Sequence, residues 1–244
     1  LSLPFITGRN SVLEALKGRR KIYRLFVLKN QAEKPQLKEI IGLASTKKVR
    51  VVWLEKEAET LKHLKLKQGV AAEVEEFSYT DFDRFLEEVT KKPTSFVVVV
   101  DNLEDPQNFG NLLRTAEFFG ADGVIIRKKR SVQVTPVVER ISQGATNHLK
   151  IARVANLSRA IESLKNADFF VAGLDAAATE VLKPETLAPK TVLVVGGEDR
   201  GLSRLVKEKC DNLFRIEGYG KLTSLNAASA FAAAAYCYVL RMKS

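Results

Sequence analysis

Apolar residues recur along this chain in two alternating rhythms. Short runs rich in Val, Ile, Leu and Phe read as strands, and stretches with apolar residues every three or four positions read as helices. In the first third the pattern predicts a helix over 10–17 with Asn10 as its cap, a strand over 22–28, and a helix over 36–45 opened by Pro35. Leu37, Ile40, Ile41 and Ala44 share one face of that helix. A strand over 50–54, a helix over 55–64, an alternating strand over 69–77 and an amphipathic helix over 81–89 follow. Lys91-Lys92-Pro93-Thr94 then interrupts the rhythm, and a domain boundary is expected there, dividing residues 1–92 from 93–244.

Beyond that break the strands change character. Residues 96–100 are apolar without alternation, as in a strand covered on both faces. Further strands are predicted over 123–126, 151–154, 169–174, 192–195 and 213–216, with helices over 111–119, 136–143, 157–164 and 203–209. A long Ala-rich helix over 225–242 closes the chain. Strands alternating with helices make this an α/β protein: a C-terminal domain on a mostly parallel sheet, preceded by a small α/β domain.

Composition narrows the function classes. With 244 residues and 45% hydrophobic content, the chain can build two cores. No apolar run reaches membrane-spanning length, and Arg9 falls early with no apolar stretch typical of a signal peptide behind it, so neither membrane insertion nor export is expected. Cys210 and Cys237 have no metal-ligand spacing, and only His63 and His148 could join them. A reducing, cytoplasmic setting and no metal are the expectations. The net charge of +10 is uneven: the first 50 residues hold 12 Lys and Arg against 3 acidic residues. Lys17, Arg19, Arg20, Lys21 and Arg24 form the densest cluster. Such a run is either a solvated face or a phosphate-contacting surface, and the asymmetry favours the second. A second run, Arg127-Lys128-Lys129-Arg130, follows a strand end and is either a solvated loop or a further phosphate-contacting surface, the second being favoured.

Three segments at strand ends break the ordinary pattern. The first runs from Asp101 through Asp105-Pro106-Gln107-Asn108 to Arg114, the second is Gly196-Gly197-Glu198-Asp199-Arg200-Gly201, and the third is Glu217-Gly218-Tyr219-Gly220-Lys221-Leu222-Thr223-Ser224-Leu225-Asn226. Ligands of open α/β sheets bind outside the carboxyl ends of strands, and glycine lets the backbone approach them. Each segment also has a plain structural reading: Asn108 capping a helix, Gly196-Gly197 forming a tight turn, Ser224 or Asn226 capping the last helix. No P-loop, no helix-opening G-x-G-x-x-G and no G-x-S-x-G elbow is present, which counts against nucleotide hydrolysis, dinucleotide oxidoreduction and serine hydrolysis.

In order and spacing, these segments resemble the three signature motifs of the SpoU (TrmH-like) methyltransferases of the SPOUT class, over residues 96–244. Gly8-Arg9-Asn10-Ser11-Val12, Glu14-Ala15-Leu16 and Lys67-Gln68-Gly69-Val70 resemble the L30e-like substrate-binding domain of the rRNA members. The overall resemblance is to 23S rRNA guanosine-2′-O-methyltransferases. It implies a trefoil knot in the C-terminal domain, a homodimer with its site at the interface, and S-adenosylmethionine as cofactor. It further implies cofactor contacts from Gly196, Ile216 and Leu225, and functional side chains at Asn108, Arg114, Glu198, Ser224 and Asn226. Glu217 stands where the family often has Pro.

Methylation of a ribose 2′-OH needs the oxygen, methyl and sulfur in line, and a destination for the hydroxyl proton. The resemblance offers Arg114 as base, yet a guanidinium stays protonated at ordinary pH. Arg114 is therefore expected to orient the nucleotide and stabilise developing alkoxide charge, while a backbone phosphate or water takes the proton. Asn108 and Glu198 are expected to hold Arg114 in place. The rivals are a tRNA methyltransferase of the same family and a non-catalytic RNA-binding protein on this scaffold.

Overall fold

Four short strands, β1 (Phe5–Thr7), β2 (Ile22–Leu28), β3 (Arg50–Leu54) and β4 (Val70–Val74), pair in the order β1-β4-β2-β3. β4 runs antiparallel to both neighbours and β2 lies parallel to β3. Alternation splits β2 between two cores: Leu25 and Val27 pack with Val12, Leu16, Leu37 and Ile40 of the helices Arg9–Lys17 and Pro35–Thr46, whereas Phe26 packs with Leu54 and Ala71. Asn10 is not the cap of the first helix. Gly8 takes that position at φ 96°, a conformation open to glycine, and Asn10 instead accepts a hydrogen bond from Gln36 at 2.7 Å within the first turn. Gln68 meets Arg9 twice, its side-chain oxygen accepting from the Arg9 backbone N at 3.0 Å and its carbonyl oxygen from the Arg9 Nε at 3.1 Å, so the Gly8–Val12 and Lys67–Val70 segments are joined in space.

This computed structural model describes residues 3–18, 20–55 and 66–243; the helix expected over 55–64 falls almost wholly outside them. The chain divides into two units, residues 1–78 with 134–148 and residues 79–133 with 149–244. The helix Pro136–Ile141, which the sequence pattern placed in the second half, therefore belongs to the first unit. Its buried Glu139 meets the Arg20 guanidinium, and His148 Nε2 lies 2.8 Å from Glu14 Oε2. Conversely, the helix Phe82–Thr90, ahead of the expected break, sets Phe85 and Val89 into the second unit's core.

That second unit is built on seven strands: β5 (Ser95–Asp101), β6 (Gly123–Arg127), β7 (Lys150–Val154), β8 (Phe170–Leu174), β9 (Glu180–Val181), β10 (Lys190–Gly196) and β11 (Asn212–Arg215). All pair in parallel, in the order β7-β6-β5-β10-β8-β11-β9. Unbroken apolar strands make sense here because both faces are covered. Val97 and Val99 face Phe85, Ile161 and Val206, while Phe96 faces the other way and stacks on Tyr238 and Phe231 of the final helix Ala227–Lys243. β1 and β9 escaped the sequence pattern because two or three residues carry too little periodicity to register.

Candidate active site

At the carboxyl ends of β8, β10 and β11 lies a cavity of about 950 Å³, at the roomy end of the range of small-molecule sites. β10 ends on Gly196, and the loop after it supplies Gly197 and Glu198; the segment after β11 supplies Ile216 and Glu217; the segment before the final helix supplies Thr223, Ser224, Leu225 and Asn226. The glycine doublet is a steric requirement. A Cβ on Gly196 would sit 2.3 Å from the carbonyl carbon of Gly201, and one on Gly197 would sit 2.1 Å from the carbonyl oxygen of Asn102. Two loops thus pass backbone against backbone. Asp101, fully buried at the end of β5, fastens them: its carboxylate accepts from Arg127 Nη2 at 2.9 Å and from the Ser203 backbone N at 2.8 Å.

Three of the expected side chains form one network. Asn108 Nδ2 donates to Glu198 Oε1 at 2.8 Å, and Asn226 Nδ2 donates to Asn108 Oδ1 at 2.7 Å and also to Glu198 Oε1. Asn226 Oδ1 accepts from the backbone N of Ala228 and Ser229 at 2.9 and 3.3 Å, so Asn226 caps the final helix as well. Asn108 is not a cap. Asp105 caps the helix Pro106–Phe118, accepting from Gln107 and Asn108 backbone N, and Pro106 fills the first position, which starts the helix five residues before the expected 111. Asn108 therefore lies in the first turn, buried and held toward Glu198. Ser224 lines the cavity with no hydrogen-bond partner among the described residues.

Arg114 is not joined to this network. It is exposed and has no hydrogen-bond or ion-pair partner among the described residues. Six residues past Asn108, it lies about 240° around the helix, on a different face. The expectation that Asn108 and Glu198 hold it is not met; they hold each other and Asn226. Glu217, which departs from the family pattern, lies in the cavity lining and pairs with Arg215 Nη2 at 3.5 Å. Asp175, at the end of β8, also lines the cavity and was not singled out from sequence. The ammonium of Lys207 hydrogen-bonds its carboxylate and holds it below the usual carboxylate range. An Asp closing an apolar strand was the available signal, but only the strand order reveals that β8 lies beside β10.

The basic cluster of the first unit is largely engaged internally. Arg24 grips Glu73 with two bonds of 2.6 and 2.9 Å, Arg20 meets Glu139, and Lys17 lies 3.4 Å from Glu14. Lys21 stacks over the Tyr23 ring. Arg19 lies outside the described residues.

The comparisons with known proteins point to one family. The model of the SpoU rRNA Methylase family matches residues 95–236, and the model of the RNA 2′-O ribose methyltransferase substrate-binding domain matches residues 5–80. The Bacillus subtilis protein YacO, assigned to the TrmH family of tRNA/rRNA methyltransferases, is 38% identical over 93% of this chain and 91% of its own. Two solved structures share the fold. The SpoU methyltransferase AviRb of Streptomyces viridochromogenes, in complex with AdoMet, has a TM-score of 0.77 at 21% identity and covers 100% of this chain and 91% of its own. An AdoMet-bound rRNA methyltransferase of Sinorhizobium meliloti has a TM-score of 0.74 at 23% identity, covering 97% and 86%.

Fold and site together define an RNA methyltransferase that uses S-adenosylmethionine. The chain belongs to the SpoU rRNA methylase family. The cavity suits that cofactor: Leu202, Phe214 and Ile216 offer apolar walls for an adenine, and the carboxylates of Asp175, Glu198 and Glu217 suit a ligand carrying positive charge. No described helix is long and apolar enough to cross a membrane.

Proposed function

We propose that this chain methylates a ribose 2′-OH of 23S rRNA. The observation that carries the reading is the Asn108–Glu198–Asn226 network, of which Glu198 and Asn226 line the cavity. When bound, the cofactor supplies a methyl carbon on a sulfonium. Gly196, Ile216 and Leu225 contact it around the cavity wall, and Ser224 offers a free hydroxyl to the ribose. The network keeps the Glu198 carboxylate engaged and fixes the loops that shape the site. Arg114, unpaired and exposed, is available to orient the nucleotide and steady developing alkoxide charge, while a phosphate or water receives the proton. A 2′-OH target makes the substrate RNA rather than DNA.

The separately folded substrate-binding unit favours rRNA over tRNA. In this reading the unit of residues 1–78 with 134–148 captures RNA, and the unit of residues 79–133 with 149–244, knotted as in the family, carries the chemistry in the cytoplasm. The protein acts as a homodimer. Support comes from Phe118, 77% exposed, and Tyr236, 53% exposed, on two helices that pack together and leave an apolar surface. Light scattering of Phe118→Glu tests the dimer: an unchanged mass overturns it. Mass spectrometry of rRNA from a deletion strain tests the substrate. Loss of one 2′-O-methyl from 23S rRNA is expected; loss from tRNA alone would overturn the rRNA assignment, and intact RNA of both kinds would overturn the enzymatic one.

A further inference from the structure

A second cavity, of about 530 Å³, opens in the unit that carries the active site, and its lining includes Asn102, Glu104, Arg127, Arg130, Ser131 and Arg200. Three guanidinium groups meet there. Arg127 is answered by the buried Asp101 carboxylate. Arg130 and Arg200 have no hydrogen-bond or ion-pair partner among the described residues, and the lining carboxylate Glu104 pairs with neither. The Ser131 hydroxyl is buried and also lacks a partner, although buried polar groups normally find one.

The loop that presents these groups is braced. Gln133 Nε2 donates to the carbonyls of Arg127, Ser131 and Val132 at 3.0, 3.1 and 3.1 Å, and the Val132 backbone N donates to Leu103 O at 2.9 Å. Arg130 is held at φ 55°, an uncommon conformation for a side-chain-bearing residue and one that tends to mark function. Asn102 Nδ2 donates to Gly201 O at 3.3 Å, and Gly201 lines the larger cavity. The two cavities therefore share a wall.

We propose that this second cavity is a built phosphate site that receives a backbone phosphodiester of the RNA strand beside the methyl-transfer site. The assignment rests on the RNA reading above and adds the residues that fix the strand. The guanidinium groups of Arg130 and Arg200 match phosphate oxygens. Lys128 and Lys129, in the same basic run, do not line the cavity and are expected to contribute little.

The test compares the full chain with Arg130→Ala, the double variant Arg130→Ala/Arg200→Ala, and Lys128→Ala, measuring affinity for an rRNA fragment across a salt series. The salt slope should fall by about 1 in the single and about 2 in the double variant, with affinity roughly fivefold or more weaker, while Lys128→Ala stays within about twofold. AdoMet affinity by calorimetry should not change in any of them. Equal losses in Lys128→Ala and Arg130→Ala, or full RNA affinity in the double variant, would overturn the site. Saturable binding of 5′-AMP that Arg130→Ala abolishes, with RNA binding intact, would overturn the RNA source in favour of a free nucleotide. If the unmodified chain binds AdoMet but no RNA, the RNA reading itself fails; a pyrophosphate titration then judges the site, and binding that does not depend on Arg130 overturns it.

Discussion

The side-chain amide of Asn226 has both its ends in use: its oxygen caps the final helix and its nitrogen serves Asn108 and Glu198. Asn226→Ala removes the cap, worth about 1 kcal/mol, together with the network. Asn226→Asp keeps a capping oxygen but sets a carboxylate against Glu198. Both variants should lose methyl transfer by about tenfold or more, with Asp melting above Ala; the opposite order would show that charge repulsion outweighs the cap. Arg114 makes the contrasting case. With no internal partner, Arg114→Ala should move stability by less than about 0.5 kcal/mol while methyl transfer collapses. A large drop in Tm would show that Arg114 braces the fold instead. The sequence pointed to both residues through motif position. It could not show that Asn226 bonds Asn108 while Arg114 bonds nothing, because partners 118 positions apart are chosen by the crossing of three loops.

At the scale of elements, β10 ends in glycines because another backbone passes where their side chains would stand. Gly197→Ala forces the Asn102 carbonyl aside, and AdoMet affinity measured by calorimetry should fall at least about tenfold. Retained affinity would mean the loops can separate freely. The end of β8 adds a pH dependence. The Asp175 carboxyl is held below its ordinary range by Lys207, so the stabilisation is present above that range and is lost as pH falls through the depressed value. Lys207→Met should return Asp175 toward its ordinary value and move the acid limb of unfolding to higher pH; an unmoved limb would mean the pair contributes nothing. Element positions were largely legible from periodicity, including the whole of β2 and β3. The start of the helix Pro106–Phe118 was missed because Asp105-Pro106 reads equally well as a turn or as a cap with its first helical residue.

On the scale of the molecule, the chain crosses back: residues 134–148 leave the sequence interval of the second unit and complete the first. Arg20 and Glu139 record that return as a buried ion pair, with burial outweighing the guanidinium and raising the Glu139 carboxyl. Arg20→Ala strands that carboxylate and should destabilise the first unit by about 3 kcal/mol at neutral pH. The loss should be smaller near pH 4, where Glu139 can take a proton, because a raised carboxyl loses stability as pH rises through the interval between its unfolded and folded values. Denaturation curves at the two pH values would decide it; equal losses would exclude the titration of Glu139 as the source.

From sequence alone came the α/β class and the mostly parallel sheet, because periodicity and turn chemistry are local properties of a chain; methyl transfer came from the resemblance of the three segments to the SpoU motifs. The partition of residues between the two units, the cavity at β8, β10 and β11, the separation of Arg114 from the Asn108–Glu198–Asn226 network, and the meeting of Arg130 with Arg200 were decided by tertiary structure. Each joins groups far apart in sequence, and their meeting depends on strand order and on where loops cross, which no local pattern encodes.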